Sequence, residues 1–148
     1  MKFKALIAAA AYAVVMSASS VFAQGTAPEA KAMLEKAVTA IKADKAAALA
    51  NFVKKDGGFQ DRDLYVFCYN TSDGKFTAHV NPKLMGTDIR ALVVNGQKLG
   101  EDIFKTAKPG ATATVDYMFP KPGTDTPAQK QSFVTQVGDQ GCGVGYYK

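Results

Sequence analysis

The sequence predicts an α+β domain: a five-stranded antiparallel sheet, a long N-terminal helix on one face, and a helical and loop insertion over the other. Three observations predict it. One amphipathic stretch of helix length opens the domain, residues 26–42. Five β-forming stretches come after it, separated by Gly, Pro, Asn and Asp turns. A long connection, residues 81–110, intervenes between the second and third of them. Strands that run one after another through turns pair antiparallel. The insertion has to cross from the second strand to the third and most naturally roofs the face the helix leaves open. A half-open sheet under such a roof is where a small molecule would sit.

Each element has its own signal. Lys2 and Lys4, the apolar run from Ala5 to Val15 and the Val21-Phe-Ala23 pattern read as a secretory signal peptide over residues 1–23, cut between Ala23 and Gln24. The run falls short of the ~20 apolar residues a spanning helix needs, and Ser17, Ser19 and Ser20 break any continuation of it. The expectation is one exported, periplasmic domain over residues 24–148, without stable membrane insertion. Thr26 can cap a helix, Glu29 completes a capping box and Pro28 suits the first turn. Ala30, Met33, Leu34, Ala37, Val38 and Ile41 recur at helical spacing. Asp44 can cap a second short helix from Lys45 to Val53, which Gly57-Gly58 ends.

Leu64 to Tyr69 is unbroken β-forming sequence, as in a strand covered on both faces. Asn70 to Gly74 is a hairpin turn, and Lys75 to Val80 returns. Within the insertion, Leu99 to Lys108 reads as a helix stopped by Pro109-Gly110. Thr112 to Phe119, Gln131 to Val137 and Cys142 to Tyr147 are the last three strands.

Bulk composition excludes several functions. Without Lys2 and Lys4 the charge falls from +5 to +3 and is scattered, with no dense basic block. Nucleic acid is therefore not an expected partner, and the mild excess is compatible with an anionic ligand. Cys68 and Cys142 are the two cysteines. In an oxidising compartment they suggest one disulfide if their strands are neighbours, and two buried thiols otherwise. No metal or haem motif, phosphate loop or nucleophile elbow is present, so no cofactor, metal or catalytic residue is expected.

The stretches Asp63-Leu-Tyr-Val-Phe-Cys-Tyr69, His79-Val-Asn-Pro-Lys-Leu-Met-Gly-Thr-Asp88, Val115-Asp-Tyr-Met-Phe-Pro120 and Cys142-Gly-Val-Gly-Tyr-Tyr147 resemble those of single Cache domains of the second type. These are extracytoplasmic, PAS-like ligand-sensing modules. The resemblance covers about Ala30 to Tyr147. It implies the strand order second-first-fifth-fourth-third, which makes the Cys68 and Cys142 strands neighbours. It implies a pocket under the insertion for small organic acids. Most such modules are sensor halves of receptors or kinases. This stretch carries no signalling domain, so a membrane receptor or kinase is the expected partner.

Seven residues are candidates for the pocket. His79 ends a strand just before the insertion; the residues alone leave ligand contact and a backbone-bonded structural role equally open, and the resemblance favours contact. Lys130 reads as a surface lysine, but the resemblance places a lysine near the pocket mouth at its position. Tyr117 and Phe119 share one strand face, as do Tyr65, Phe67 and Tyr69. If the helix covers the smaller Leu64, Val66 and Cys68 side, the aromatic face lines the pocket. Met85 in the roof could close over a ligand. The leading reading is a periplasmic small-acid binding module. The alternatives are a scaffold protein whose pocket has collapsed and a hydrolase or isomerase with a nucleophile beside His79.

Overall fold

The computed structural model describes residues 23–148. The signal peptide expected over residues 1–23 lies, Ala23 apart, outside the described residues. At Thr26 the backbone N–H and the hydroxyl both donate to the Glu29 carboxylate at 2.8 Å. Helix α1, Ala27–Ala43, starts there and buries Ala30, Met33, Leu34, Ala37 and Ile41. Asp44 accepts the Ala47 N–H and starts α2, Lys45–Lys54, which Lys55 ends in the left-handed conformation. The strands are β1 (Gln60–Asp61), β2 (Leu64–Asn70), β3 (Phe76–Ala78), β4 (Ala113–Pro120), β5 (Pro127–Val137) and β6 (Gln140–Tyr147), with α3 (Leu99–Thr106) in the insertion.

The sheet runs β1-β2-β6-β5-β4, with β3 also on β2, and every pair is antiparallel. The five expected strands stand in the expected order; the two-residue β1 is an addition. The return strand ends at Ala78, short of Val80, because His79 turns the chain: its Nδ1 accepts the Asn81 N–H at 2.9 Å. Strand β5 begins at Pro127, earlier than Gln131, paired with Pro120. Both prolines sit at the hairpin's end, where a missing N–H breaks no interior ladder.

The two faces divide by side-chain size. Helix α1 covers Leu64, Val66, Cys68, Cys142 and Val144, and α2 adds Phe52 against Phe59. Cys68 and Cys142 lie opposite each other in register and form the disulfide. The other face carries Phe67, Tyr69, Val115 and Val134 under Ile89, Leu99 and Ile103 of the insertion. No helix among the described residues is long and apolar enough to cross a membrane.

Candidate functional site

The insertion does not collapse onto the sheet. Between them lies a cavity of about 390 Å³. Its floor is set by strand alternation: Tyr65 and Phe67 of β2 and Tyr117 and Phe119 of β4 point to this side. Strand β6 lies between and presents Gly141, Gly143 and Gly145 here, with Cys142 and Val144 on the helix side. The glycines have a steric reason. A methyl on Gly141 would enter the Tyr69 ring, and one on Gly143 the Phe67 ring. A methyl on Gly145 would stand 2.8 Å from Lys130 Cε and Ser132 Oγ and 3.0 Å from the Tyr117 hydroxyl. The aromatic rings can lie across β6 only because β6 is bare there.

The roof is made of two 3-10 turns and α3. Asn81 accepts the Lys83 N–H to start Pro82–Leu84, and Asp88 accepts the Arg90 N–H to start Ile89–Ala91. Leu84, Ile89 and Leu92 point down from them, and Leu99 and Ile103 from α3. The roof is stitched to both sheet edges. Phe76 donates to Thr87 O and accepts from Gly86 N–H on the β3 side. Asn95 Nδ2 donates to Met118 O at 2.9 Å and Gln97 Nε2 to Asp116 O at 3.2 Å on the β4 side. These amides occupy carbonyls that an edge strand would otherwise expose.

The polar groups gather at one end. Lys130, opposite both Tyr117 and Tyr147 in register, is only 3% exposed. Its Nζ stands 5.1 Å from the Tyr65 and Phe119 ring centroids and 4.8 Å from that of Tyr147. Among the described residues it has no hydrogen bond and no ion pair. Burial pushes its pKa down to about 8, and the nearby Asp63 charge pulls the other way. One Asp63 oxygen, Oδ1, accepts the Gly25 N–H at 2.6 Å; the other, Oδ2, is buried without a hydrogen-bond partner among the described residues.

His79 lies edge-on to Tyr65 and Phe76, at 5.3 Å from each. Burial, and then the Lys130 charge, lower its pKa to about 4. The ring is therefore neutral at pH 7. With Nδ1 accepting from Asn81, its proton sits on Nε2, which can donate. The Tyr117 hydroxyl and Ser132 Oγ share a 2.8 Å hydrogen bond, and burial raises the tyrosine's pKa. Burial pushes Tyr65 up to about 12. His79 and Tyr117 thus give this end of the cavity neutral hydrogen-bonding groups, with the Lys130 ammonium behind the Tyr65 and Phe119 rings and the Asp63 carboxylate near enough to act on it.

The model of the single Cache domain 2 family matches residues 1–146. The chain belongs to that family. Its structural neighbours are sensor domains. A methyl-accepting chemotaxis protein from Vibrio parahaemolyticus matches with a TM-score of 0.65 at 25% identity, over 81% of this chain and 86% of that one. A periplasmic sensor domain of a chemotaxis protein matches with a TM-score of 0.58 at 25% identity, over 79% and 86%. A Cache chemosensory domain described for carboxylic acid recognition shares the fold, with a TM-score of 0.56 at 22% identity over 79% and 84%. No curated protein matches the chain.

Within this Cache fold, His79, Tyr117, Phe67, Phe119 and Tyr65 all line the cavity. Lys130 stands behind the Tyr65 and Phe119 rings, not in the surface position a lysine usually takes. Met85 is the correction. It is half-buried and does not line the cavity, because the 3-10 turn aims Leu84 inward and Met85 comes after it in extended backbone. Spacing does not single out Leu84, Ile89, Leu92 or Ser132. The period-2 placement of the Tyr65, Phe67, Tyr117 and Phe119 rings is the signal that pointed to the floor.

Proposed function

We propose that this domain is an extracytoplasmic, non-catalytic sensor module that binds a small organic acid in the cavity. Lys130 would supply the charge, His79 and Tyr117 the hydrogen bonds, and Tyr65, Phe67 and Phe119 the apolar wall. The observation that carries this reading is Lys130: a lysine 3% exposed, with no salt bridge among the described residues, behind the Tyr65 and Phe119 rings that line an open cavity. Buried charges are normally paired, and a ligand carboxylate is the partner that would complete this one. The open cavity also favours this reading over a scaffold with a collapsed pocket. The module would be exported after removal of residues 1–23 and would report its occupancy to a membrane receptor or kinase.

Calorimetric titration with a panel of organic acids tests the reading. A hydrogen bond to a charged group is worth about 1.5–3 kcal/mol, so Lys130→Ala should weaken binding by roughly ten- to a hundredfold. A bound acid whose affinity ignores Lys130→Ala would remove the site assignment. The intact mass of exported protein, beginning at Gln24, checks the processing.

A further inference from the structure

The cavity is larger than a carboxylate group needs, and its polar and apolar parts are segregated. Its volume of about 390 Å³ lies within the range of ordinary ligand pockets. At about 30 Å³ for a water-sized group, it has room for on the order of ten non-hydrogen atoms. A two-carbon acid has only four. Lys130, His79 and Tyr117 are grouped at the sheet. The roof above contributes Leu84, Ile89, Leu92, Leu99 and Ile103, and its one polar lining side chain is Asn81, at the start of the first 3-10 turn. A ligand that placed only its carboxylate would leave this aliphatic vault without contact. A ligand with a second charged end would bury that end among leucines and isoleucines, where nothing can pair it.

We propose that the preferred occupant is an amphiphilic monocarboxylate. Its carboxylate would lie at the His79 and Tyr117 end, on the side toward Lys130, and an alkyl or aryl tail of about five to seven carbons would lie under the insertion, the length this volume admits. Short polar acids and dicarboxylates would be poor ligands. The proposal rests on the reading that the cavity takes a carboxylate, and it names the class of acid. The sheet end recognises the head by charge, and the roof measures the tail by area. One cation sets the number of carboxylates at one.

The test is isothermal titration of the purified protein with acetate, butyrate, hexanoate and octanoate, together with adipate and 1-hexanol. Each methylene moved from water to the vault is worth about 0.8 kcal/mol, so affinity should rise about fourfold per added carbon from butyrate until the vault is full. Adipate has hexanoate's chain length with a second charge, and it should bind at least about a hundredfold more weakly than hexanoate. Hexanol lacks the head and should bind at least about tenfold more weakly. A Leu99→Trp variant fills the vault; it should weaken hexanoate and leave a shorter acid's affinity within a few-fold. If acids bind but acetate or adipate equals hexanoate, the tail assignment is overturned while the carboxylate reading stands. If hexanol equals hexanoate, or no acid in the series binds, the carboxylate reading fails and this inference falls with it.

Discussion

Replacing Lys130 by methionine separates a ligand-binding lysine from a structural one. Methionine keeps the length and the apolar stem and removes the charge. The folded protein holds Lys130 at about 8, against an ordinary value of 10.5, chiefly through burial. One pKa unit is 1.36 kcal/mol, so keeping this ammonium charged in the empty cavity opposes folding by about 3 kcal/mol at neutral pH. The Tyr65, Phe119 and Tyr147 faces offset part of that, about 0.5–1 kcal/mol each. Lys130→Met should therefore stabilise the empty protein by about 1–2 kcal/mol at pH 7. For a domain of this size that is a rise in Tm of about 3–8 °C. The same substitution should weaken acid binding by roughly ten- to a hundredfold, as Lys130→Ala does.

The pH dependence fixes the cause. Because the folded-state pKa lies below the unfolded one, the unfolded chain binds the extra proton between about pH 8 and 10.5. Wild-type stability rises with pH wherever the unfolded state binds more protons. The advantage of Lys130→Met should thus be complete below about pH 8 and shrink through that window. Above about pH 10 the buried tyrosines act oppositely, since Tyr65 and Tyr147 are pushed up to about 12 and both proteins lose stability as unfolded tyrosines ionise. Urea unfolding of both proteins at pH 7, 8.5 and 9.5 measures it. A variant that is less stable than wild type at pH 7, by any amount beyond error, would mean that Lys130 is a structural group and that the reasoning fails.

Gly145→Ala should cost about 1–3 kcal/mol in urea unfolding and weaken acid binding, because the new methyl displaces Lys130, Ser132 or Tyr117. Removing both Cys68 and Cys142 by alanine opens a loop of sequence separation 74 and should lower stability by about 4 kcal/mol, read as a lower urea midpoint. His79 should stay neutral by NMR titration down to near pH 4. Acid affinity should therefore be flat from about pH 6 to 7.5, and His79→Ala should weaken it roughly tenfold at any pH in that range.

The helix face of this domain and α3 were legible in the sequence and the 3-10 turns of the roof were not, for a physical reason. Helix α1 announces itself by the Thr26 and Glu29 cap and by apolar residues at a fixed period. Strand β2 alternates large rings with Leu64, Val66 and Cys68, so size alone says which face can pack tightly on a helix. Those turns have no period. Leu84, Ile89 and Leu92 hang from separate 3-10 turns whose directions depend on Asn81 and Asp88 accepting particular N–H groups. That is why Met85 looks as good as Leu84 in the sequence. Charge states were not legible either. His79 is neutral because it is buried and near Lys130, and both facts are properties of the fold, not of spacing. The strand order, and with it the disulfide, was readable only through the family resemblance.

The two faces of the sheet are built to different ends. On the helix side the space is filled by aliphatic residues and the Phe52–Phe59 pair, and the disulfide joins neighbouring strands at the centre. On the cavity side the domain keeps an open volume, a floor strand stripped to glycine and a charge without a partner among the described residues. The unpaired charge opposes folding by about 3 kcal/mol before the rings offset it. A ligand present at a hundred times its dissociation constant adds about 2.7 kcal/mol. The two are of one size, so occupancy would return what the empty site withholds. It would also bear on the roof, which hydrogen bonds at the rim of the sheet anchor to β3 and β4. A cavity face held short of its own optimum is therefore the part of this fold whose free energy a ligand can change. In a sensor, that is the face that has to respond.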